Sequence, residues 1–159
     1  MYLLLQWFRS DLNVRRDLFN ATMCAFFALI VNQVISFFWM HPRPFVIGLG
    51  HTFIPHVADS SFPSDHMTLM CAVGFSFLFS VTQQAAGKVF LSLSLFVAWA
   101  RIYLGVHYPV DILGAIVLTA IWAMLVNKKL NGVMIVIFRK FMMLYQFIFS
   151  TTIHRGWMK

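Results

Sequence analysis

The chain has 159 residues, of which 60% are hydrophobic and only 11% are charged. A soluble domain of this length carries about 25% charged residues, so the composition excludes an ordinary water-soluble protein and predicts a membrane protein of one domain. Twelve Lys and Arg against five acidic residues give a net charge of +7, but the basic residues form short clusters between apolar runs. This pattern is typical of cytoplasmic loops, and it does not predict the continuous basic face that binds nucleic acid.

The predicted elements begin with a short apolar segment, Met1 to Phe8. It is too short to cross a membrane, and it lacks the charged start and the cleavage site of a signal peptide. We interpret it as the stub of a helix whose earlier part is absent. Residues 1–17 are thus expected to form this partial helix and a cytoplasmic loop.

Four longer apolar runs follow, and each is predicted to form a membrane-spanning helix. About 20 mostly apolar residues are needed to cross the hydrocarbon core. Pro63 to His66 can supply the first turn of the second run, because proline is favoured at the first helical position. The four runs are Leu18 to Met40, Met67 to Thr82, Val89 to Leu104 and Val110 to Val126.

The last apolar run, Leu130 to Phe149, is long enough to cross, yet Arg139 and Lys140 stand in its middle. Charges near the bilayer centre are costly, so an amphipathic helix in the membrane interface is favoured over a fifth crossing. The expected fold is therefore all-α: a polytopic bundle of about four transmembrane helices, with an N-terminal helix stub and a C-terminal amphipathic helix.

The basic residues predict the orientation of this bundle. Clusters of Lys and Arg precede the first span, separate the second from the third and follow the fourth, so four crossings put them on one side, the cytoplasm. The segments His41 to Phe62 and Gly105 to Pro109 then face outward. With the helix ends beside them, they contain five of the six His and three of the five Asp. The basic clusters are Arg9, Arg15 and Arg16, then Lys88, then Lys128 and Lys129.

Three patches on the outward side carry candidate chemistry. His107 and Asp111 are four residues apart at the start of the fourth span, so the carboxylate can hold one ring N–H while the other ring nitrogen acts as a nucleophile or base. His66 lies in the first turn of the second span, where free backbone N–H groups suit a phosphate. Arg43 and Arg101 supply planar, permanently charged groups for phosphate oxygens. Together these residues predict a phosphoryl-transfer site that works without a metal or other cofactor.

Structural explanations also exist for single members of this set. A lone His near a membrane surface is more often an interfacial polar group, and Arg101 alone can extend to the interface. Zinc bound by His66, His107 and Asp111, with water as the fourth ligand, is an alternative. The common placement of the three patches favours the metal-free site. Three histidines stay unassigned, His51, His56 and His154, and two cysteines are taken as small buried residues, Cys24 and Cys71.

The same residues resemble the three motifs of the type 2 phosphatidic acid phosphatase superfamily. Within it, the stretches HPRPFVIGLGHTFIPHVADSSFPSDH and RIYLGVHYPVDILG are similar to the bacitracin-resistance type of undecaprenyl-diphosphatase. The resemblance covers roughly residues 18–126, which are therefore expected to form the catalytic helical core of a single domain, 1–159, while 127–159 form a basic amphipathic tail. The matching motifs are Arg43-Pro44, Pro63-Ser64-Asp65-His66, and Arg101 with His107 and Asp111.

The resemblance implies a role for each matching residue. His107 would attack the terminal phosphorus and form a phosphohistidine, with Asp111 orienting its ring. His66 would protonate the leaving oxygen and later activate water. No metal is implied. The phosphate would be held by three further side chains, Arg43, Arg101 and Ser64.

The implied activity is hydrolysis of undecaprenyl pyrophosphate, a polyprenyl pyrophosphate lipid, at the outer face of a bacterial inner membrane. It would recycle the lipid carrier of peptidoglycan synthesis and confer bacitracin resistance. The alternatives are a phosphatase of another lipid, such as phosphatidylglycerol phosphate or a lipid A phosphate, a metal-dependent hydrolase and a non-catalytic membrane subunit. The chain departs from the superfamily pattern at Ser36, Asp65 and Ala100, where Lys, Gly and Ser are usual, and Asp65 fits the undecaprenyl-diphosphatase type.

Overall fold

The structure, a computed structural model, describes residues 2–49 and 51–150, and every regular element within these ranges is a helix. The longest connection, between the second and third α-helices, contains a short 3-10 helix at Pro44–Ile47. The fifth α-helix continues into a π-helical turn at Leu125–Lys129. The α-helices are α1 (Tyr2–Arg9), α2 (Leu12–Phe38), α3 (Asp65–Phe79), α4 (Gln84–Tyr103), α5 (Pro109–Met124) and α6 (Asn131–Ile148).

Helix α3 lies at the centre of the bundle and packs against α2, α4 and α5. Small side chains let these helices approach one another. Ala28 of α2, Ala72 of α3 and Ala123 of α5 are fully buried in one core cluster. Such contacts are typical of membrane bundles, in which close van der Waals packing replaces the hydrophobic effect between helices.

Helices α2 to α5 run alternately in opposite directions, so the bundle has two distinct ends. The loop end contains residues 39–49 and 51–64, which belong to the connection from α2 to α3, and residues 104–108, which connect α4 to α5. The basal end contains α1, the connection at 80–83 and the π-helical turn. There, Thr82 donates its hydroxyl to the carboxylate of Asp17 on α2, at 2.6 Å. The basic clusters at Arg9, Lys88 and Lys128 share this basal end, as predicted.

The predicted all-α membrane bundle is confirmed, and the chain is a multi-pass membrane protein with helix bounds that differ in detail. The segments long and apolar enough to cross a membrane are α2, α4, α5 with its π-helical extension, and α6. Helix α3 is also apolar but has 15 residues and ends at Phe79, before the predicted Thr82. The cause is Ser80, whose hydroxyl donates to the carbonyl of Phe77 and accepts from the N–H of Gln83, both at 2.9 Å.

The predicted N-terminal helix is present at Tyr2–Arg9, but the loop predicted to extend to residue 17 is limited to Ser10 and Asp11. Helix α2, however, begins at Leu12 and not at Leu18. The side chain of Asp11 accepts a hydrogen bond from the N–H of Val14 at 3.0 Å and so caps the helix at its N-terminus. The charged residues that follow this cap are therefore part of α2.

Helix α6 remains at the basal end along its length. Phe138 of α6 contacts Phe19 of α2, with ring centroids 5.5 Å apart, and Tyr145 further along contacts Trp7 of α1 at 5.8 Å. Because these partners lie progressively farther from the loop end, the helix does not run back along the bundle. The contacts support the predicted amphipathic helix in the interface, although length and composition alone also permit a crossing. Two charges in the middle of α6 are exposed, Arg139 and Lys140.

Candidate active site

The long connection at the loop end is closed by hydrogen bonds between its two halves. The N–H of Ser61 donates to the carbonyl of His41 at 2.8 Å, and Nδ1 of His41 lies 2.8 Å from Oγ of Ser61. Ser36, in the last turn of α2, donates its hydroxyl to the carbonyl of Phe62 at 3.0 Å. These bonds bring Arg43 and the first turn of α3 to the same cavity.

The first turn of α5 orients His107 and Asp111. The N–H of Tyr108 donates to Oδ2 of Asp111 at 2.8 Å, which places the fully buried carboxylate at the helix start. Nδ1 of His107 lies 3.4 Å from the same Oδ2. At this distance Nδ1 of His107 makes no hydrogen bond within the described residues. A closer approach would direct Nδ1–H at the carboxylate and keep Nε2 unprotonated, as a nucleophile or base requires. Catalytic contacts of this kind are often long before substrate binds.

The guanidinium of Arg43 faces the other ring nitrogen of His107. Its Nη1 lies 3.3 Å from Nε2 of His107 and donates to the carbonyl of Val106 at 2.9 Å. Its Nε donates to the carboxylate of Asp59 at 2.7 Å, and its Nη2 donates to the carbonyl of Ser60 at 3.3 Å. Arg43 is only 6% exposed. Its planar group is therefore fixed beside the ring nitrogen that faces the cavity.

Arg101 reaches the site from the last turn of α4, and its Nη2 lies 3.1 Å from Nε2 of His56. A tight turn leads from Arg101 back to His107, and within it Gly105 has a φ of +69°. A Cβ at Gly105 would lie 2.5 Å from the carbonyl oxygen of His51. Both the backbone conformation and the close approach require glycine. The turn therefore explains how Arg101 and His107, six residues apart in sequence, both face the same cavity.

One cavity of about 170 Å³ lies between these side chains. Four predicted residues from three separated motifs line it, Arg43, His66, Arg101 and His107. The rest of its wall is mainly polar and comprises Gln33, Ser36, His56, Asp59, Ser60, Pro63 and Asp65.

The other two predicted residues lie behind this wall. Asp111 stands behind His107. Ser64 is fully buried at the start of α3, and its N–H donates to the carbonyl of Asp111 at 3.4 Å. Within the described chain, Oγ of Ser64 makes no hydrogen bond and does not line the cavity. Its role as a phosphate ligand stays a prediction that requires the side chain to turn toward the cavity.

Four wall residues were not predicted from the sequence, namely Gln33, His56, Asp59 and Ser60. His56 and Asp59 belong to the same outward loop as Arg43, and only the folded loop brings them to its guanidinium and to that of Arg101. Gln33 interrupts an apolar span. A polar residue at such a position is itself a hint of function, and this signal was present in the sequence.

Asp65, at which the superfamily pattern has Gly, connects α3 to α2. Its Oδ1 accepts from Nδ2 of Asn32 at 2.9 Å, and its Oδ2 accepts from Nε2 of Gln33 at 3.3 Å. The same amide of Asn32 also donates to Thr68 at 2.8 Å. These bonds fix the first turn of α3 and therefore the position of His66.

Guanidinium and imidazole groups outnumber carboxylates in the wall of the cavity, and the two guanidinium charges equal those of the two carboxylates when the imidazoles are neutral. Two guanidinium groups and three imidazoles face two carboxylates, and one of these, Asp59, is already paired with Arg43. Such a set suits the oxygens of a phosphate, which are acceptors with negative charge. Within residues 2–49 and 51–150, no three His, Cys, Asp or Glu side chains are grouped to hold a metal ion, and His154 lies outside these ranges.

Comparison with known proteins finds one matching family and several curated relatives. The model of the PAP2 superfamily matches residues 17–134. The chain is 36% identical over 121 residues to the undecaprenyl-diphosphatase BcrC of Bacillus subtilis, a match that covers 76% of this chain and 62% of that protein. No solved structure matches significantly.

Two further relatives extend this result. The putative undecaprenyl-diphosphatase YbjG of Escherichia coli is 31% identical over 132 residues, which are 83% of this chain and 66% of that protein. The bacitracin transport permease protein BcrC of Bacillus licheniformis is 30% identical over 125 residues, which are 78% of this chain and 61% of that protein. The chain thus spans somewhat less than two thirds of the length of these relatives.

Proposed function

The chain belongs to the PAP2 superfamily, and we propose that it is an undecaprenyl-diphosphatase, which hydrolyses undecaprenyl pyrophosphate to undecaprenyl phosphate and inorganic phosphate. The observation that carries the proposal is the single cavity lined by Arg43, His66, Arg101 and His107. Two relatives named as undecaprenyl-diphosphatases, one of them putative, support the choice of substrate.

The first step is a transfer of the terminal phosphoryl group to His107. Nε2 of His107 attacks the terminal phosphorus, and the bond from that phosphorus to the bridging oxygen breaks. His66 gives its proton to the bridging oxygen, so undecaprenyl phosphate leaves. The carboxylate of Asp111, 3.4 Å from Nδ1, stabilises the positive charge that develops on the attacking ring.

Arg43 and Arg101 hold the phosphoryl oxygens during this transfer. Phosphoryl transfer depends mainly on positioning and on the stabilisation of negative charge, and two guanidinium groups provide both. Arg43 is well placed because its Nη1 lies 3.3 Å from the attacking nitrogen. Free N–H groups at the start of α3, with Ser64, add further donors.

In the second step water hydrolyses the phosphohistidine. His66, now neutral, takes a proton from the water, whose oxygen bonds to phosphorus while the bond to Nε2 of His107 breaks. Inorganic phosphate leaves and both histidines return to their starting states. Since one histidine starts neutral and the other protonated, activity follows a bell-shaped dependence on pH.

The whole chain acts as one domain in this proposal, with its catalytic core at 18–126, and the cavity faces the outside of a bacterial inner membrane. The basic clusters at the basal end support this orientation, because such clusters mark the cytoplasmic side. Hydrolysis at the outer face would recycle the peptidoglycan lipid carrier and oppose bacitracin.

The test is to trap the phosphoenzyme. Protein incubated with undecaprenyl pyrophosphate labelled at the terminal phosphate and then quenched in base should retain label that acid releases, as expected for phosphohistidine. His107→Ala should remove both the trapped label and phosphate release while the protein still inserts in the membrane. His51→Ala is the matched control, because His51 does not line the cavity. Full turnover by His107→Ala would refute the assignment of the nucleophile.

A comparison of substrates separates this proposal from its alternatives. Purified protein should release phosphate from undecaprenyl pyrophosphate faster than from phosphatidylglycerol phosphate or a lipid A phosphate. The reverse order would mean that the protein is a lipid phosphatase with one of these other lipids as its substrate. Activity lost in a chelator and restored by zinc would instead favour a metal-dependent hydrolase.

A further inference from the structure

Two further cavities lie one after the other along α2 and α3, beginning beside the active-site cavity. The first, of about 260 Å³, shares Gln33, Asp65 and His66 with the active-site cavity and extends to Leu29 on α2 and Leu69 on α3. Leu29 and Leu69 lie one helical turn below the shared residues, toward the basal end. The first cavity therefore adjoins the active-site cavity on the side of His66, and the hydrogen bond between Gln33 and Asp65 lies at the boundary between the two.

The second cavity, of about 410 Å³, continues from Leu69 toward the basal end. Its wall on α2 reaches Thr22, eleven residues from Gln33, which is about 16 Å at about 1.5 Å per residue. The hydroxyl of Thr22 donates to the carbonyl of Leu18 at 2.9 Å, so this side chain leaves no unpaired donor in the wall. The other wall residues are Tyr2, Leu3, Leu4, Met70, Val73 and Phe90.

We infer that these two cavities, named here the α2–α3 groove, bind the first isoprene units of the polyprenyl chain of the substrate. The inference rests on the proposed function, in which His66 protonates the leaving oxygen. The second phosphate and the chain attached to it must then lie on the His66 side of the reacting phosphorus, opposite His107. The groove begins on that side.

The side chains that line the groove become less polar with distance from the active-site cavity, which matches the structure of such a substrate. Charged and polar side chains surround the active-site cavity, a mixture surrounds the first part of the groove, and mainly apolar side chains surround the second part. A lipid pyrophosphate has the same order, from a charged head to a hydrocarbon chain. Apolar surface along α2 and α3 binds hydrocarbon, while the polar end binds the phosphates.

Another apolar cavity, beside His107, does not offer this path. Its wall is formed by residues of the loop end, including Leu49, Phe53 and Tyr103. It lies on the side of the attacking histidine and does not extend along the bundle toward the basal end. The chain of the substrate is therefore assigned to the α2–α3 groove.

Leu69→Trp tests the inference, because Leu69 is 47% exposed and belongs to both parts of the groove. The larger ring should raise KM for undecaprenyl pyrophosphate at least about tenfold, which is the lower end of what one methylene changes in a hydrophobic pocket. Inhibition by inorganic phosphate, which has no chain, should stay as in the unchanged protein. Leu95→Trp is the matched control, since Leu95 is 65% exposed on α4 and lines none of these cavities.

A second measurement uses the unchanged protein and so does not depend on the folding of a variant. A polyprenyl pyrophosphate with a photoreactive group on its first isoprene units should label peptides that contain Thr22 to Gln33 or His66 to Val73. Labelling confined to other helices, or equal KM values for Leu69→Trp and Leu95→Trp, would overturn the inference and leave bulk lipid as the occupant. If the unchanged protein does not hydrolyse undecaprenyl pyrophosphate at all, the proposed function fails first.

Discussion

Asp111 performs two tasks with one buried carboxylate. Its Oδ2 accepts the N–H of Tyr108 at the start of α5 and lies 3.4 Å from Nδ1 of His107. Its Oδ1 lies 3.7 Å from Nδ1 of His41. A buried negative charge is costly unless donors or positive charge surround it. The N–H of Tyr108 satisfies Oδ2, whereas Oδ1 makes no hydrogen bond within the described residues and has the ring of His41 as its nearest basic group. Asp111 is thus a structural cap, and we propose that it also orients the ring of the nucleophile.

Asp111→Asn separates these two tasks. Asparagine still accepts the N–H of Tyr108, so the thermal stability in detergent should change little. The negative charge beside His107 is lost, and kcat should fall by up to roughly four orders of magnitude, as it does when the aspartate of a Ser-His-Asp triad is changed to asparagine. Steady-state release of phosphate from undecaprenyl pyrophosphate measures the effect.

Asp111→Ala is the comparison for this variant. Loss of the cap should destabilise the protein by about 0.5–2 kcal/mol in addition to the loss of activity. If Asp111→Asn kept the activity of the unchanged protein, the carboxylate would be a structural cap only.

The sequence predicted those members of the candidate site whose side-chain type alone suggests a role, such as a guanidinium that binds phosphate or an imidazole that attacks it. Arg43, His66, Arg101 and His107 fall in short motifs near helix ends, and the basic clusters predict which end of the bundle faces outward. The contact between Asp59 and Arg43 depends on the fold of residues 39–64, which has no periodic pattern to read. The burial of Ser64 likewise follows from how α3 begins.

At the scale of the helices, α3 and α4 approach closely where two glycines, Gly74 and Gly87, have no side chains between the backbones. A Cβ on Gly87 of α4 would lie 2.9 Å from the carbonyl oxygen of Gly74 on α3 and 2.7 Å from the backbone nitrogen of Leu78. Both contacts are to backbone, which cannot turn aside as a side chain can. Because α4 carries Arg101 to the loop end, this contact also sets the position of Arg101 relative to α3.

Gly87→Ala should therefore force α3 and α4 apart. We expect it to destabilise the protein by about 1–3 kcal/mol, the usual effect of overpacking a core, and to lower the melting temperature in detergent. Gly132→Ala is the matched control, because a Cβ on Gly132 meets no atom within 4 Å. That change should be neutral or stabilising by up to about 1 kcal/mol, since alanine favours the helix. Equal melting temperatures for the two variants would contradict this account of the helix contact.

At the scale of the whole molecule, hydropathy predicted the bundle but not the bounds of its helices. The average hydropathy of the segments that form α2, α4 and α5 is enough to predict apolar helices there, without knowledge of which helices they contact. The early start of α2 depends on one cap at Asp11, and the early end of α3 depends on the hydrogen bonds of Ser80. These are local interactions of single polar side chains, which an average over about 20 residues does not detect.

The orientation of the bundle is predicted from charge and can be tested with single cysteines. Val57, in the long connection, is 72% exposed at the loop end, and Lys88 is exposed at the basal end. Val57→Cys should react with a membrane-impermeant maleimide on intact spheroplasts of a bacterial host, whereas Lys88→Cys should react only after the membrane is made permeable. The native Cys24 and Cys71 are buried, so the background should be low. The opposite pattern would put the active-site cavity in the cytoplasm, where hydrolysis could not act on a lipid carrier at the outer face.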